Sequence, residues 1–150
     1  APRESILREI REETGIALAD PDSAKFRGAV TWLSDGAHFG GMYLYLVELP
    51  PQFRLDTPVK TQEGILDWKL VDWILHPSNQ GVAANIPSYL PLMLKNEYCH
   101  VHHCTFVEGR LTGVESARCS ERLEQRVQLE SNFVDLLSWL KLNDVNDLRR

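Results

Sequence analysis

Three glutamates near the start of the chain set the chemistry open to it. Glu9, Glu12 and Glu13 fall at i, i+3 and i+4 within Arg8-Glu9-Ile10-Arg11-Glu12-Glu13-Thr14-Gly15-Ile16. On a helix, all three carboxylates therefore share one face. Glu9 and Glu13 are like charges one turn apart, which weakens an isolated helix by about 0.2–0.5 kcal/mol. They also sit towards the helix C-terminus, where the macrodipole favours cations. A local arrangement that works against itself answers to a partner, and the simplest partner is a cation. Hard divalent ions such as Mg2+ take carboxylate oxygens, keep several waters and bridge to phosphates. The competing reading is an ordinary solvated face, because Glu4–Arg8 and Arg8–Glu12 are both i, i+4 pairs of opposite charge.

The wording of the stretch favours the cation. Arg8, Glu9, Ile10, Glu12, Glu13, Gly15 and Ile16 match every fixed position of Arg-Glu-aliphatic-x-Glu-Glu-x-Gly-aliphatic. That string resembles the second half of the Nudix hydrolase signature, which begins with Gly, five residues, Glu and seven residues. Counting back from Arg8, the earlier Glu would fall immediately before Ala1 and the Gly further upstream. The resemblance thus implies an N-terminally truncated Nudix-like domain that starts partway through its catalytic helix. It implies an α/β fold, a mixed sheet sandwiched between helices, with a C-terminal hairpin and a long helix added. The domain would span 1–117, and 118–150 would be a helical extension packed on it.

The resemblance further implies divalent-metal-dependent hydrolysis of a phosphoanhydride in a nucleoside diphosphate derivative, first of all a nucleoside triphosphate cleaved to monophosphate and pyrophosphate. Glu9, Glu12 and Glu13 would hold Mg2+ or Mn2+ against the diphosphate, and the ion would lower the pKa of the attacking water. Glu9, or a carboxylate from a later loop, would take the proton. Arg8 would orient Glu12 through a charge-assisted bond. Glu63 and Asp67, ahead of Trp68, are the candidates for a further metal ligand or base. Glu48 is a third, since a carboxylate inside an apolar strand needs a pair or a ligand. The alternative from another class is a Nudix-derived binding or interaction module without turnover.

Composition bounds these readings. One hundred and fifty residues, 43% hydrophobic and 25% charged, suit a single soluble core. A net charge of -5 leaves no footprint for a nucleic-acid polymer but does not exclude nucleotides, whose charge a metal meets locally. No apolar run is long enough to span a membrane. Three cysteines without a scaffold spacing fit a reducing, cytoplasmic setting.

The elements that must position the glutamates follow from periodicity and turn chemistry. Residues 1–14 form an amphipathic helix with Ile6, Leu7 and Ile10 on its apolar face, Pro2 in its first turn and Gly15 closing it. Residues 26–33 read as a strand ended by Ser34-Asp35-Gly36, and residues 42–49, apolar on both faces, as a central strand. Residues 52–64 form a loop, and 65–74, carrying Trp68 and Trp73, the next strand. Trp68, Trp73 and Tyr45 could stack on a base, although aromatics in strands are more often core. Residues 86–95 form a second helix, with Pro87 in its first turn and Pro91 kinking or shortening it.

Residues 98–107 and 110–117 form a hairpin about Glu108-Gly109. Within it, Cys99-His100-Val101-His102-His103-Cys104 alternates faces, so its five potential ligands cannot converge on one zinc ion, and a partly exposed strand is the default. Residues 120–142 form a long helix capped by Ser120, with Leu123, Val127, Val134 and Leu137 on one face. Phe133, Trp139, Leu140 and Leu142 widen that face, which suits packing on its own domain or on a second copy in a homodimer.

Overall fold

A computed structural model of the chain describes residues 2–95, 97–120 and 122–129. It is a mixed α/β fold around a four-stranded sheet. The chain opens with α1 (Pro2–Thr14), turns at Pro21–Ser23, and enters β1 (Ala24–Ser34) and β2 (His38–Val47). Two short strands, β3 (Val59–Lys60) and β4 (Ile65–Leu66), pair on their own as a small ribbon. A single helical turn, α2 (Val71–Ile74), precedes α3 (Ile86–Lys95). The hairpin β5 (Cys99–Val107) and β6 (Arg110–Cys119) completes the sheet, and α4 (Arg122–Leu129) follows.

Strand order is β2-β1-β5-β6. The two outer pairs are antiparallel, while β1 and β5 run parallel in the middle. A parallel pair needs a long crossover. The segment between β2 and β5 supplies it, and α3 lies on it.

Strand alternation divides the core between the two faces of the sheet. On one face Phe26, Cys99 and Leu123 are buried, with Tyr43, Tyr45, Val101 and Cys119 packed around them. Leu44, between the two tyrosines, points the other way and joins Val30, Cys104, Tyr89 and Met93. Tyr89 and Met93 are the buried side chains of α3, which therefore covers this second face. Leu123 brings α4 to the first face, where α1 meets α4 and α4 meets β1. The sheet is thus layered by helices on both sides.

Several sequence expectations stand. The first strand, its turn, the α3 helix and the hairpin about Glu108-Gly109 form where periodicity puts them. Pro91 lies inside α3 without ending it. Ser120 Oγ accepts from the Arg122 backbone N–H at 3.2 Å, the expected cap, and Leu123 is 2% exposed.

Others need correction. The strand expected to be central is an edge strand: among the described residues β2 has a neighbour on one side only. Apolar residues on both faces reported helices above and below, not strands on both flanks. Residues 65–74 are not a strand beyond Leu66. Leu70, Val71 and Ile74 carry helical rather than alternating spacing, and a helical turn forms there. Trp68 and Trp73 are 57% and 45% exposed, so neither is core. The hairpin is not an addition either, because β5 is a central strand with Cys99, His102 and Cys104 buried. β6 runs on to Cys119, past the boundary expected at 117. Glu48 lies beyond the end of β2 and is exposed. Residues 130–142 of the expected long helix, with Phe133, Val134, Leu137, Trp139, Leu140 and Leu142, lie outside the described residues.

Candidate metal centre at the end of the first helix

Helix α1 is held at its two ends in different ways. At its start Arg3 reaches across to the rest of the fold. Its guanidinium donates to the backbone oxygens of Pro21 and Ala24, each at 2.7 Å, and to Glu124 of α4, Nε to Oε1 at 2.8 Å. It also lies 5.5 Å from the centre of the Tyr45 ring. At its far end the Gly15 N–H donates to the Arg11 carbonyl at 2.9 Å, with Gly15 at φ +75°. This is the left-handed closure that glycine allows without steric cost. Thr14 Oγ1 donates to the Ile10 carbonyl and accepts from the Ile16 N–H, fixing the exit of the chain.

Between these ends the three glutamates sit on the outer side of α1. The Glu9 side chain is 45% exposed and that of Glu12 62%, and Glu13 is also exposed. Arg8 lies beside the first two. Its Nη2 is 3.4 Å from Glu9 and its Nε 3.9 Å from Glu12. The expected Arg8–Glu12 link is therefore an ion pair too long to be a hydrogen bond, and the closer partner is Glu9.

The decisive neighbour comes from fifty positions away. The turn between β3 and β4 is pinned by Thr61, whose N–H donates to the Gly64 carbonyl at 2.7 Å and whose Oγ1 accepts from the Glu63 N–H at 3.3 Å. This turn presents Glu63 to the end of α1, beside Glu13. The Glu13 pKa is raised, first by partial loss of hydration, then by the charge of Glu63, and last by Glu9 and Glu12. Two carboxylates placed side by side repel each other, and a cation between them relieves that repulsion. Four carboxylates thus gather where Arg8 is the cation paired to them among the described residues.

That donor set suits a divalent ion: all oxygen, strongly anionic and open to solvent for the waters that Mg2+ retains. The present side-chain positions do not yet enclose one. Among the described residues, no three His, Cys, Asp or Glu groups converge on a single ligation point. Drawing them together requires rotamer changes of exposed side chains, which cost little.

Of the two loop candidates, Glu63 reaches the helix. Asp67 is engaged elsewhere: Lys69 Nζ donates to it at 3.0 Å. The hydrogen bonds from Lys69 and then Thr57 hold its carboxyl below the ordinary aspartate range. The His/Cys run alternates as its spacing requires. His102 pairs with Ser116 and His103 with Thr31, each at 2.7 Å, from opposite faces of β5. Tyr45 is held by Phe26 edge-on and by Arg3, in the core rather than in a site.

No family model and no curated protein matches the chain. The case for a function therefore rests on these residues.

Two residues escaped the sequence reading. Arg27 is buried at the foot of β1, and Arg118, on β6, lies over the Tyr98 ring. The signal was present in Phe26-Arg27-Gly28, a charge placed inside an otherwise apolar strand.

Proposed function

We propose that the acidic end of α1 binds Mg2+ or Mn2+ and that the protein hydrolyses the phosphoanhydride of a nucleoside diphosphate derivative, with a nucleoside triphosphate the leading substrate. The helix-bracketed mixed sheet would then be a Nudix-like sandwich. One observation carries the reading. Glu63 is brought against Glu13 from a separate ribbon, although like charges so placed gain nothing unless something positive joins them. The match of Arg8 to Ile16 to the Nudix string supports the same conclusion.

Glu9, Glu12, Glu13 and Glu63 would hold the ion. When bound, it neutralises diphosphate oxygens and makes a water nucleophilic near neutral pH. Among the chain's own groups, Glu63 stands beside Glu13, whose pKa is raised first by loss of hydration and then by the charge of Glu63. Glu63 is therefore the stronger choice of base over Asp67, whose carboxyl is occupied by Lys69. Arg8 balances charge beside Glu9 and steadies both Glu9 and Glu12.

The test is release of phosphate or pyrophosphate from a nucleotide panel, with and without Mg2+. Glu12→Gln is expected to remove turnover by at least a hundredfold while leaving the fold intact. Turnover that survives this change puts the chemistry elsewhere. A second reading, a nucleotide-binding module without turnover, draws on the openness of Glu12 and Glu13 and the lack of a closed ligand cluster among the described residues. Metal-dependent nucleotide binding with no product released would select it.

A further inference from the structure

A second charged site lies at the foot of the sheet, on the strands rather than on α1. The register between β1 and β2 shifts between Phe26 and Gly28, so Arg27 sits in a bulge. Its side chain turns in beside the start of β5, where one terminal nitrogen donates to the Tyr98 carbonyl at 2.6 Å. His100 Nδ1 lies 3.1 Å from the same oxygen. Arg118, paired with His100 across the β5–β6 ladder, stacks its guanidinium 3.2 Å from the centre of the Tyr98 ring. Three basic side chains from three strands thus abut one residue, Tyr98.

Among the described residues, the ion pairs leave this cluster without a partner carboxylate. Arg27 is only 7% exposed, and its Nε is buried without a hydrogen-bond partner. The chain carries a net charge of -5, so acids are not scarce. A buried guanidinium without an anion is costly, and a fold that retains one reserves its remaining donors for a ligand. The field acts on the neighbours too: after loss of hydration, the charges of Arg118 and Arg27 help to hold the His100 pKa below its usual value.

We infer that Arg27 and Arg118 form a binding site for a phosphate group, separate from the carboxylates of α1. Guanidinium groups present forked donors that match phosphate oxygens. Arg27 supplies the buried contact, while Arg118, more exposed, admits the ligand and closes over it.

Inorganic phosphate is the probe, added to the whole protein in EDTA so that no metal bridges it to the α1 carboxylates. The readouts are the Arg27 Nε–Hε NMR signal and the thermal midpoint, each compared with NaCl at matched ionic strength. Saturable movement of that signal at millimolar phosphate, with a rise in the midpoint, is expected. Arg118→Gln should weaken binding at least fivefold, and Glu13→Gln should leave it unchanged, which separates this site from the metal reading. Arg118→Gln also keeps the test open if Arg27→Gln fails to fold. Movement no greater than with NaCl, equal binding by Arg118→Gln, or preference for acetate over phosphate would each overturn the inference.

Discussion

Glu13 and Glu63 form the contact whose behaviour with pH is most informative. The raised Glu13 pKa means that the folded chain holds this proton more tightly than the unfolded chain. Its contribution to stability is therefore largest below pH 4.5, the ordinary value, and is lost as pH rises through the folded pKa. The divalent cation we propose for this site would reverse the trend by replacing the proton. Mn2+ affinity, read by paramagnetic relaxation, should accordingly climb as pH rises above 4.5. In Glu63→Gln the climb should be shallower and the affinity at pH 7 about tenfold weaker; an unchanged profile would mean that Glu63 is not a ligand. A different constraint acts at Gly28, which has φ +112° and whose Cβ, if present, would lie 1.8 Å from the His100 carbonyl oxygen. Gly28→Ala must wedge β1 from β5, with an expected loss of about 3 kcal/mol in a urea melt.

At the scale of elements, β5 carries more than its sequence advertises. His102 is 1% exposed, sandwiched between the Tyr89 and His100 rings with Nδ1 on Ser116. Burial, and then the charge of His100, lower its pKa to about 4. The unfolded chain takes up this proton near 6.5 and the folded chain resists it, so stability should fall as pH drops from about 6.5 to about 4. The loss is at most about 3 kcal/mol. Replacement by glutamine should flatten the acid limb of a pH–stability curve, whatever its effect at neutral pH. The alternation of this strand was legible because period two survives any environment. Its central place was not, since polar His and Cys mark an edge unless a parallel neighbour from far away is known. The ribbon shows the converse: Ile65 to Ile74 has enough apolar residues for a strand, but Asp67, Lys69 and Asp72 break the run and helical spacing takes over. The α1 glutamates were readable from their spacing, whereas the choice of Glu63 over Asp67 depended on a turn held by Thr61.

Across the whole molecule, the two helices on one face of the sheet are joined by Arg3 and Glu124, 121 positions apart. Both side chains are 22% exposed, and the guanidinium also holds two backbone oxygens. Arg3→Ala should cost about 2 kcal/mol by thermal or urea unfolding, more than a surface ion pair would. Because this link ties the start of α1 to α4 and Tyr45, the variant should also weaken the Mn2+ binding proposed for the other end of the helix. Equal metal affinity in wild type and variant would show that the carboxylates are positioned locally. The described residues include no helix long and apolar enough to cross a membrane.

The parallel seam between β1 and β5 has a bearing on how the protein is made. Gly28 and His100, first partners in that seam, are separated by most of the described chain. A nascent polypeptide that has completed β1 and β2 still exposes one bare flank of β1 on the ribosome, and nothing local can cover it. Until β5 is translated, that flank is open to any passing extended segment. Synthesis of this protein therefore has a vulnerable interval, whose length is set by translation speed and which ends when His100 leaves the exit tunnel.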